Sequence, residues 1–198
     1  MELIKKNLGL VITIGIIAIA VMWCISGYNG LVSMDEGVQN KWADVETQYQ
    51  RRADLIPNLV NTVKGYAAHE KETLESVVKA RSEATSVKID PSNMTAEQMA
   101  QYQNAQNGVT SALSKLLLVV EKYPDLKANQ NFQELQSQLE GTENRIAVAR
   151  RDYNAVAKEY NTAVRKFPKN ILAGMFGFEK KEYFEAQEGS EAAPEVKF

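Results

Sequence analysis

A seven-residue apolar repeat between residues 132 and 167 constrains the fold of this chain more than any other feature. The repeat advances in steps of three and four residues over five heptads, which predicts one long helix with a narrow apolar seam. At a rise of about 1.5 Å per residue this helix is about 54 Å long. A single helix cannot bury such a seam, so other helices, or other copies of the chain, must cover it. The seam consists of Phe132, Leu135, Leu139, Thr142, Ile146, Ala149, Tyr153, Val156, Tyr160, Ala163 and Phe167.

Two further helices are predicted before the seam. An apolar stripe runs from Val38 to about Val87 and predicts one long helix that bends at Pro57, where a backbone donor is missing. After a turn at residues 90–93, Thr95 and Gln98 form a predicted capping box for a helix that ends at Pro124. The predicted fold is all-α, with an N-terminal transmembrane helix followed by an elongated antiparallel bundle of long, coiled-coil-like helices.

Residues 8–25 form an apolar run that predicts a membrane anchor. The run contains 18 residues without a charge, and about 27 Å of helix matches the hydrocarbon thickness of a bilayer. A cleaved signal peptide is the alternative, with Ala18-Ile19-Ala20 as its processing site, but this site lies inside the run. Cys24 does not suggest a lipoprotein, because the bulky Trp23 precedes it.

The charges that flank the run predict the domain order and the topology. Lys5 and Lys6 precede the run and only Lys41 follows closely, which places the N-terminus in the cytoplasm and the soluble domain outside. We divide the chain into a short charged N-terminus at 1–6, a transmembrane helix acting as signal anchor at 7–28, a helical bundle at 29–185 and a flexible polar tail at 186–198. Within the bundle, the apolar segment 170–178 either caps the bundle end or touches the bilayer surface.

Composition argues against several classes of function. The net charge is −2 and no basic block is present, so nucleic acid is not an expected partner. With one cysteine and one histidine, His69, the chain offers no recognisable metal or cofactor site. Thr73 stands where a zinc protease motif would place its second histidine, and we expect no enzymatic activity. The carboxylates Glu134, Glu140, Glu143 and Asp152 lie off the seam and are expected on solvated faces.

Two groups of polar residues are candidate contact sites. Arg51, Arg52 and Asp54 beside Pro57 form either a binding patch or a salt-bridged support for the bent helix. The pairs Tyr153-Asn154 and Tyr160-Asn161 recur one heptad apart; we expect the tyrosines to be buried with bonded hydroxyls and the asparagines to bond across helices. The candidate partner or oligomer contacts are Arg51, Arg52, Asp54, Pro57, Tyr153, Asn154, Tyr160, Asn161 and Phe176.

Several motifs resemble the LemA family. The most specific is residues 51–60, RRADLIPNLV, and the similarity extends from Tyr28 to about Phe184 through VKGYA at 63–67, YPDLKA at 123–128 and the two Tyr-Asn pairs. The resemblance implies a bacterial single-pass membrane protein with an elongated antiparallel helical bundle and no known reaction. It also implies a link to a membrane zinc protease and to envelope stress, because family members are often encoded beside such a protease.

These observations lead to one functional hypothesis and one alternative. The hypothesis is a scaffold or adaptor of the bacterial inner membrane that acts through protein–protein contacts and self-associates, because strict heptads suit homo-oligomers. The alternative is a sensor or receptor-like ectodomain that binds a ligand or partner and transmits through its single span. Only about six residues precede the run, which leaves little room for a cytoplasmic output domain.

Overall fold

The computed structural model describes residues 2–185, with side chains from Asn7 onward. The predicted tail at 186–198 and the side chains of the predicted charged N-terminus lie outside this description. Within it, all regular secondary structure is α-helical, as predicted. The helices are α1 (Glu2–Lys64), α2 (Lys71–Ser86), α3 (Ala96–Val120), α4 (Pro124–Lys127), α5 (Gln130–Arg165) and α6 (Lys169–Phe176).

The chain forms two compact units. One contains the described residues before Lys41 together with Val156–Lys181, and the other contains Lys41–Ala155 together with the described residues from Glu182 onward. We call them the anchor unit and the bundle unit.

The predicted single helix from Val38 to Val87 is wrong, because α1 ends at Lys64 and α2 begins at Lys71. The connector is held by hydrogen bonds from the Tyr66 and Ala67 amides to the Val63 carbonyl, at 3.0 and 2.8 Å. Two apolar stripes on one continuous helix cannot cover each other. Reversal of the chain at 65–70 lets Leu74 and Val77 of α2 enter the same core as the stripe of α1.

The bundle unit is a four-helix bundle with an up-down-up-down order of α1, α2, α3 and α5. Contacts along α5 show that it runs antiparallel to α1: Trp42 meets Tyr153, and Tyr66, just after α1, bonds Asn129, just before α5. All four helices contribute to one hydrophobic core. Its larger members are Ile56 and Leu59 of α1, Leu74 of α2, Leu113 and Leu116 of α3, Leu126 of α4, and Phe132 and Leu139 of α5.

The predicted start of α3 is confirmed. The Thr95 hydroxyl accepts a hydrogen bond from the Gln98 amide at 3.2 Å, and the Gln98 side chain accepts one from the Thr95 amide at 3.0 Å. This reciprocal pair satisfies donors that the first turn of a helix leaves free. The helix ends at Val120, a few residues before the predicted end, and the short α4 begins at Pro124.

Most of the α5 seam is buried as predicted, in both parts of the helix. Phe132, Leu139, Thr142, Ile146, Ala149 and Tyr153 are all buried. Beyond Tyr153 the predicted positions Tyr160 and Ala163 are buried, and Ala157 and Val164 beside the seam are buried as well. Leu135 and Val156 are half-buried, and Phe167 is 80% exposed. A helix has about 3.6 residues per turn, so a strict seven-residue register drifts around it over several heptads. The buried face is therefore wider than predicted toward the C-terminal end of the helix, and the last predicted seam residue, Phe167, lies exposed beyond the end of α5 at Arg165.

The anchor unit packs α6 against α1. Leu172 of α6 occupies the space where Gly27 lacks a side chain, and both residues are buried. Gly177 ends α6 in the left-handed conformation, with φ of 74°, and the Phe178 amide bonds the Ala173 carbonyl at 2.9 Å. By length and composition α1 is able to cross a membrane, and its most apolar stretch is not covered by any described residue.

Candidate functional site

Arg52 is the most deeply buried charged side chain in the described residues, with 2% of its surface exposed. Its Nη1 donates to Thr110 Oγ1 at 2.9 Å and to Glu143 Oε1 at 2.8 Å. Its Nη2 donates to the Gln106 carbonyl at 3.0 Å and to Gln106 Oε1 at 2.7 Å. The guanidinium thus joins α1 to α3 and α5, and its buried charge is compensated by a carboxylate and three neutral acceptors.

The backbone donor that Pro57 removes from α1 is replaced by a residue that was not among the predicted contact residues. Pro57 has no amide proton, so the carbonyl of Ala53, four residues earlier, loses its donor within the helix. Arg81 of α2 supplies one, with its Nε 2.7 Å from the Ala53 oxygen. The sequence alone shows that the Ala53 carbonyl lacks a donor, because Ala53 lies four residues before Pro57. Only the reversal of the chain brings Arg81 to this carbonyl.

An open cleft of about 990 Å³ lies over this part of α1. Its exposed polar lining includes Arg51 and Asp54, and Gln50 Nε2 donates to Asp54 Oδ1 at 2.7 Å. Arg52 and Arg81 also line the cleft, but both Nη atoms of Arg52 and the Nε of Arg81 donate to groups inside the fold. The cleft therefore offers exposed charges of both signs to a bound group, from Arg51 and Lys88 and from Glu46 and Asp54.

Tyr153 and Asn154 hold the backbone near the end of the described chain. The Tyr153 hydroxyl donates to the Glu182 carbonyl at 3.0 Å. The Asn154 side chain both donates to the Phe184 carbonyl, at 2.8 Å, and accepts from the Phe184 amide, at 2.9 Å. The Phe184 ring stacks on Trp42, with ring centroids 5.6 Å apart. Burial raises the pKa of the Tyr153 hydroxyl well above its ordinary value.

In the anchor unit, Asn161 makes a similar two-bond contact. It donates to the Lys181 carbonyl and accepts from the Lys181 amide, both at 2.8 Å. The Lys181 ammonium lies 2.8 Å from Asp35 Oδ1 and 5.6 Å from the centroid of the Tyr160 ring. Burial, and then the Asp35 carboxylate that bonds the hydroxyl, raise the pKa of Tyr160. The asparagines therefore bind backbone groups that follow α6, and the predicted bonds across helices were wrong.

The candidate residues differ in accessibility. Five of them are buried or half-buried and make their contacts within their own unit. The buried ones are Arg52, Tyr153, Tyr160 and Asn161, and the half-buried one is Asn154. Arg51, Asp54, Pro57 and Phe176 are exposed. The expected hydroxyl bonds of the two tyrosines are present. Glu143 keeps 37% of its side-chain surface exposed, as expected of a residue off the seam, but its carboxylate also pairs with the buried Arg52, which the sequence did not predict.

The described residues bring together no group of three histidine, cysteine, aspartate or glutamate side chains that could hold a metal ion. His69 is exposed in the connector between α1 and α2, and Cys24 lies in the apolar part of α1. The polar clusters built around Arg52 and Lys181 can hold helices and backbone in register.

Comparisons with known proteins agree with this architecture. The model of the LemA family matches residues 41–198. Magnetosome protein MamQ 2 of Paramagnetospirillum magneticum is 33% identical over 175 residues, which make up 80% of this chain and 64% of the relative. Magnetosome protein MamQ of Magnetospirillum gryphiswaldense is 31% identical over 174 residues, with 79% and 64% covered. Protein LemA of Metamycoplasma hominis is 23% identical over 160 residues, with 81% and 69% covered.

The chain thus spans about 64% of the length of the MamQ proteins that it matches. The family match covers the whole bundle unit as far as it is described, including Arg52, Arg81 and the first Tyr-Asn pair. The apolar part of α1 precedes the matched range and supplies a helix able to cross a membrane. The chain therefore belongs to the LemA family and is a membrane-associated protein.

Proposed function

We propose that this protein is a membrane-anchored helical scaffold of the bacterial envelope that acts through protein–protein contacts. The observation that carries the proposal is the continuity of α1. One uninterrupted helix contains both the exposed apolar run and the residues that begin the hydrophobic core of the bundle unit. A module built this way is held at a membrane while the exposed surfaces of its bundle remain available to other proteins.

The cleft beside Pro57 is the contact surface in this proposal. It is open, it is lined by both polar and apolar side chains, and Arg51 and Asp54 are exposed in its lining. These groups suit a partner segment that carries complementary charges. The seam of α5 is already covered inside the chain up to Tyr153. Self-association, which remains part of the proposal, would therefore use exposed residues such as those of the cleft.

The inner membrane, with the bundle on its outer side, is the proposed location, supported by the lysines that precede the apolar run. A second copy of the chain and a membrane protease are the two partners that the proposal favours. The MamQ proteins are magnetosome proteins by name, and the location proposed for this chain rests on its own apolar run and lysines.

Photo-crosslinking in living cells tests the proposal. A photoreactive residue at Arg51 or Thr47, both in the lining of the cleft, is compared with one at Asn61, an exposed residue of α1 outside that lining. Two copies of the chain with different tags are expressed together, so that crosslinks between copies can be told from crosslinks to another protein.

We expect discrete crosslinked bands from the cleft positions and none from Asn61. A band that contains both tags supports a homo-oligomer, and a band that contains another membrane protein supports an adaptor. If neither cleft position yields a band, or if Asn61 yields the same bands, the cleft is not the contact surface and the scaffold proposal fails.

A further inference from the structure

The side of α6 that is not packed against α1 exposes an apolar surface. Ile171 and Met175 lie four residues apart, so they share one face of the helix. They are 50% and 70% exposed, whereas Leu172 and Ala173 on the packed side are buried. Phe167, just before the helix, is 80% exposed. We call Phe167, Ile171 and Met175 the α6 surface.

The position of α6 relative to the apolar run is fixed within the anchor unit. Leu172 packs at Gly27, which lies two residues after the end of the run at Ile25, about 3 Å farther along α1. Phe176 and Phe178 contact the ring of Tyr28 edge-on, with centroids 4.8 and 5.7 Å away. Aromatic residues at this level are typical of the boundary between a bilayer and water. The α6 surface is therefore continuous with the end of the apolar run.

The charge around α6 has the opposite sign to that of the whole chain. Residues 165–180 carry a net charge of +3, from Arg165, Lys166, Lys169, Lys180 and Glu179, whereas the chain carries −2. Exposed apolar residues beside several cations are the combination found in helices that lie in the interface of membranes with anionic lipids.

We propose that α6 lies in the headgroup region of the leaflet from which α1 emerges, with Phe167, Ile171 and Met175 inserted among the lipids and the neighbouring lysines facing anionic headgroups. The protein then contacts the membrane twice, through a span and through an interfacial helix docked at Gly27. This second contact restricts how the anchor unit can tilt about the span. The inference requires the span but no protein partner, so it can fail or hold independently of the proposed scaffold function.

Fluorescence quenching by lipids tests the inference on the full chain. Cys24→Ser removes the native thiol, and an environment-sensitive dye is attached to Met175→Cys or, as a control, to Glu159→Cys. Glu159 is exposed and belongs to the same unit. Its neighbour Tyr160 bonds Asp35, which lies eight residues beyond Gly27, about 12 Å farther along α1. Both proteins are reconstituted in vesicles with and without an anionic phospholipid, each carrying quenchers near the headgroups.

We expect quenching at Met175 and none at Glu159, and stronger quenching at Met175 when anionic lipid is present. Adding Lys166→Gln and Lys169→Gln should lower the ratio of inserted to withdrawn α6 by about fivefold for each lysine in the anionic vesicles, and should change nothing in neutral ones. Equal quenching at both positions would contradict the inference. A Met175 dye that reports an apolar environment without lipid quenching would also overturn it, because a protein surface, such as a second copy, would then cover α6.

Discussion

At the scale of single residues, the RRADLIPNLV stretch places two adjacent arginines in different environments. Arg51 is exposed in the cleft, whereas Arg52 is buried and donates four hydrogen bonds to α3 and α5. A helix turns about 100° per residue, so neighbours cannot face the same surroundings. The pair therefore separates a structural role from a surface role within one motif.

Arg52→Leu should lower the free energy of unfolding by about 3 kcal/mol, because it leaves the Glu143 carboxylate and the buried Gln106 side-chain oxygen without their donor. Arg51→Leu, one residue away, should change it by less than about 0.5 kcal/mol. Urea unfolding of the full chain in detergent, followed by circular dichroism, measures both. Equal losses for the two variants would show that the buried network does not stabilise the fold.

A second prediction at this scale concerns alkaline pH and Tyr153. Burial raises the pKa of Tyr153 above the ordinary value of 10.0, and burial does the same for Tyr102. The unfolded chain therefore loses these protons first. Their contribution is complete below about pH 10 and declines above it, by about 1.4 kcal/mol per pH unit for each tyrosine.

Tyr153→Phe should cost about 1 kcal/mol at neutral pH, since the bond to the Glu182 carbonyl is lost. Above about pH 10 the free energy of unfolding of this variant should fall less steeply than that of the unchanged chain. Urea unfolding at several alkaline pH values, with tyrosine ionisation followed by absorbance, measures the slopes. Identical slopes would mean that the hydroxyl titrates alike in both states.

At the scale of elements, α1 continues through Pro57 although proline removes a backbone donor from the helix interior. The substitute donor comes from α2, where Arg81 reaches the Ala53 carbonyl. The local defect is thus coupled to the packing of a second helix.

A double-mutant cycle between Pro57 and Arg81 tests this coupling. Arg81→Met alone should destabilise the chain by about 1 to 2 kcal/mol, because it leaves the carbonyl without a donor. In a Pro57→Ala background, where the new amide can bond Ala53, the same change should cost about 1 kcal/mol less. Urea unfolding of the four proteins measures the coupling, and Lys79→Met at an exposed site of α2 is the control. A coupling near zero would mean that the Arg81 bond does not replace the missing one.

At the scale of the whole molecule, the apolar part of α1 decides how the protein is held at a membrane. Its residues are exposed along the run, in contrast to the buried stripe later in the same helix. A processing site within the run, at Ala18-Ile19-Ala20, would remove most of this surface.

The intact mass of the chain extracted from membranes should correspond to retention of residues 1–25, and the protein should resist an alkaline carbonate wash. Ile16→Lys with Ile17→Lys, in the middle of the run, should release the protein from the membrane, because each charge at the centre of a span costs about 2.5 to 3.5 kcal/mol. Ile16→Ala with Ile17→Ala is the matched control and should remain bound. A mass that begins after Ala20 would establish cleavage instead.

The sequence alone was sufficient for those features that depend on local periodicity and local hydrogen bonding. The all-α class, the capping box at Thr95 and the first part of the α5 seam follow from residue spacing along one helix. The apolar run is equally local, because 18 consecutive uncharged residues suffice to predict it.

Only the tertiary structure decided which residues meet across helices. The reversal at 65–70 brings Arg81 to Ala53, and the packing of α5 against α1 brings Glu143 to Arg52. The two asparagines find backbone groups 20 and 30 residues away, and Leu172 finds the space at Gly27. These contacts join residues far apart in the chain, and their formation depends on the burial of the whole core. The periodicity of residues along one helix does not show which residues of other helices they will contact.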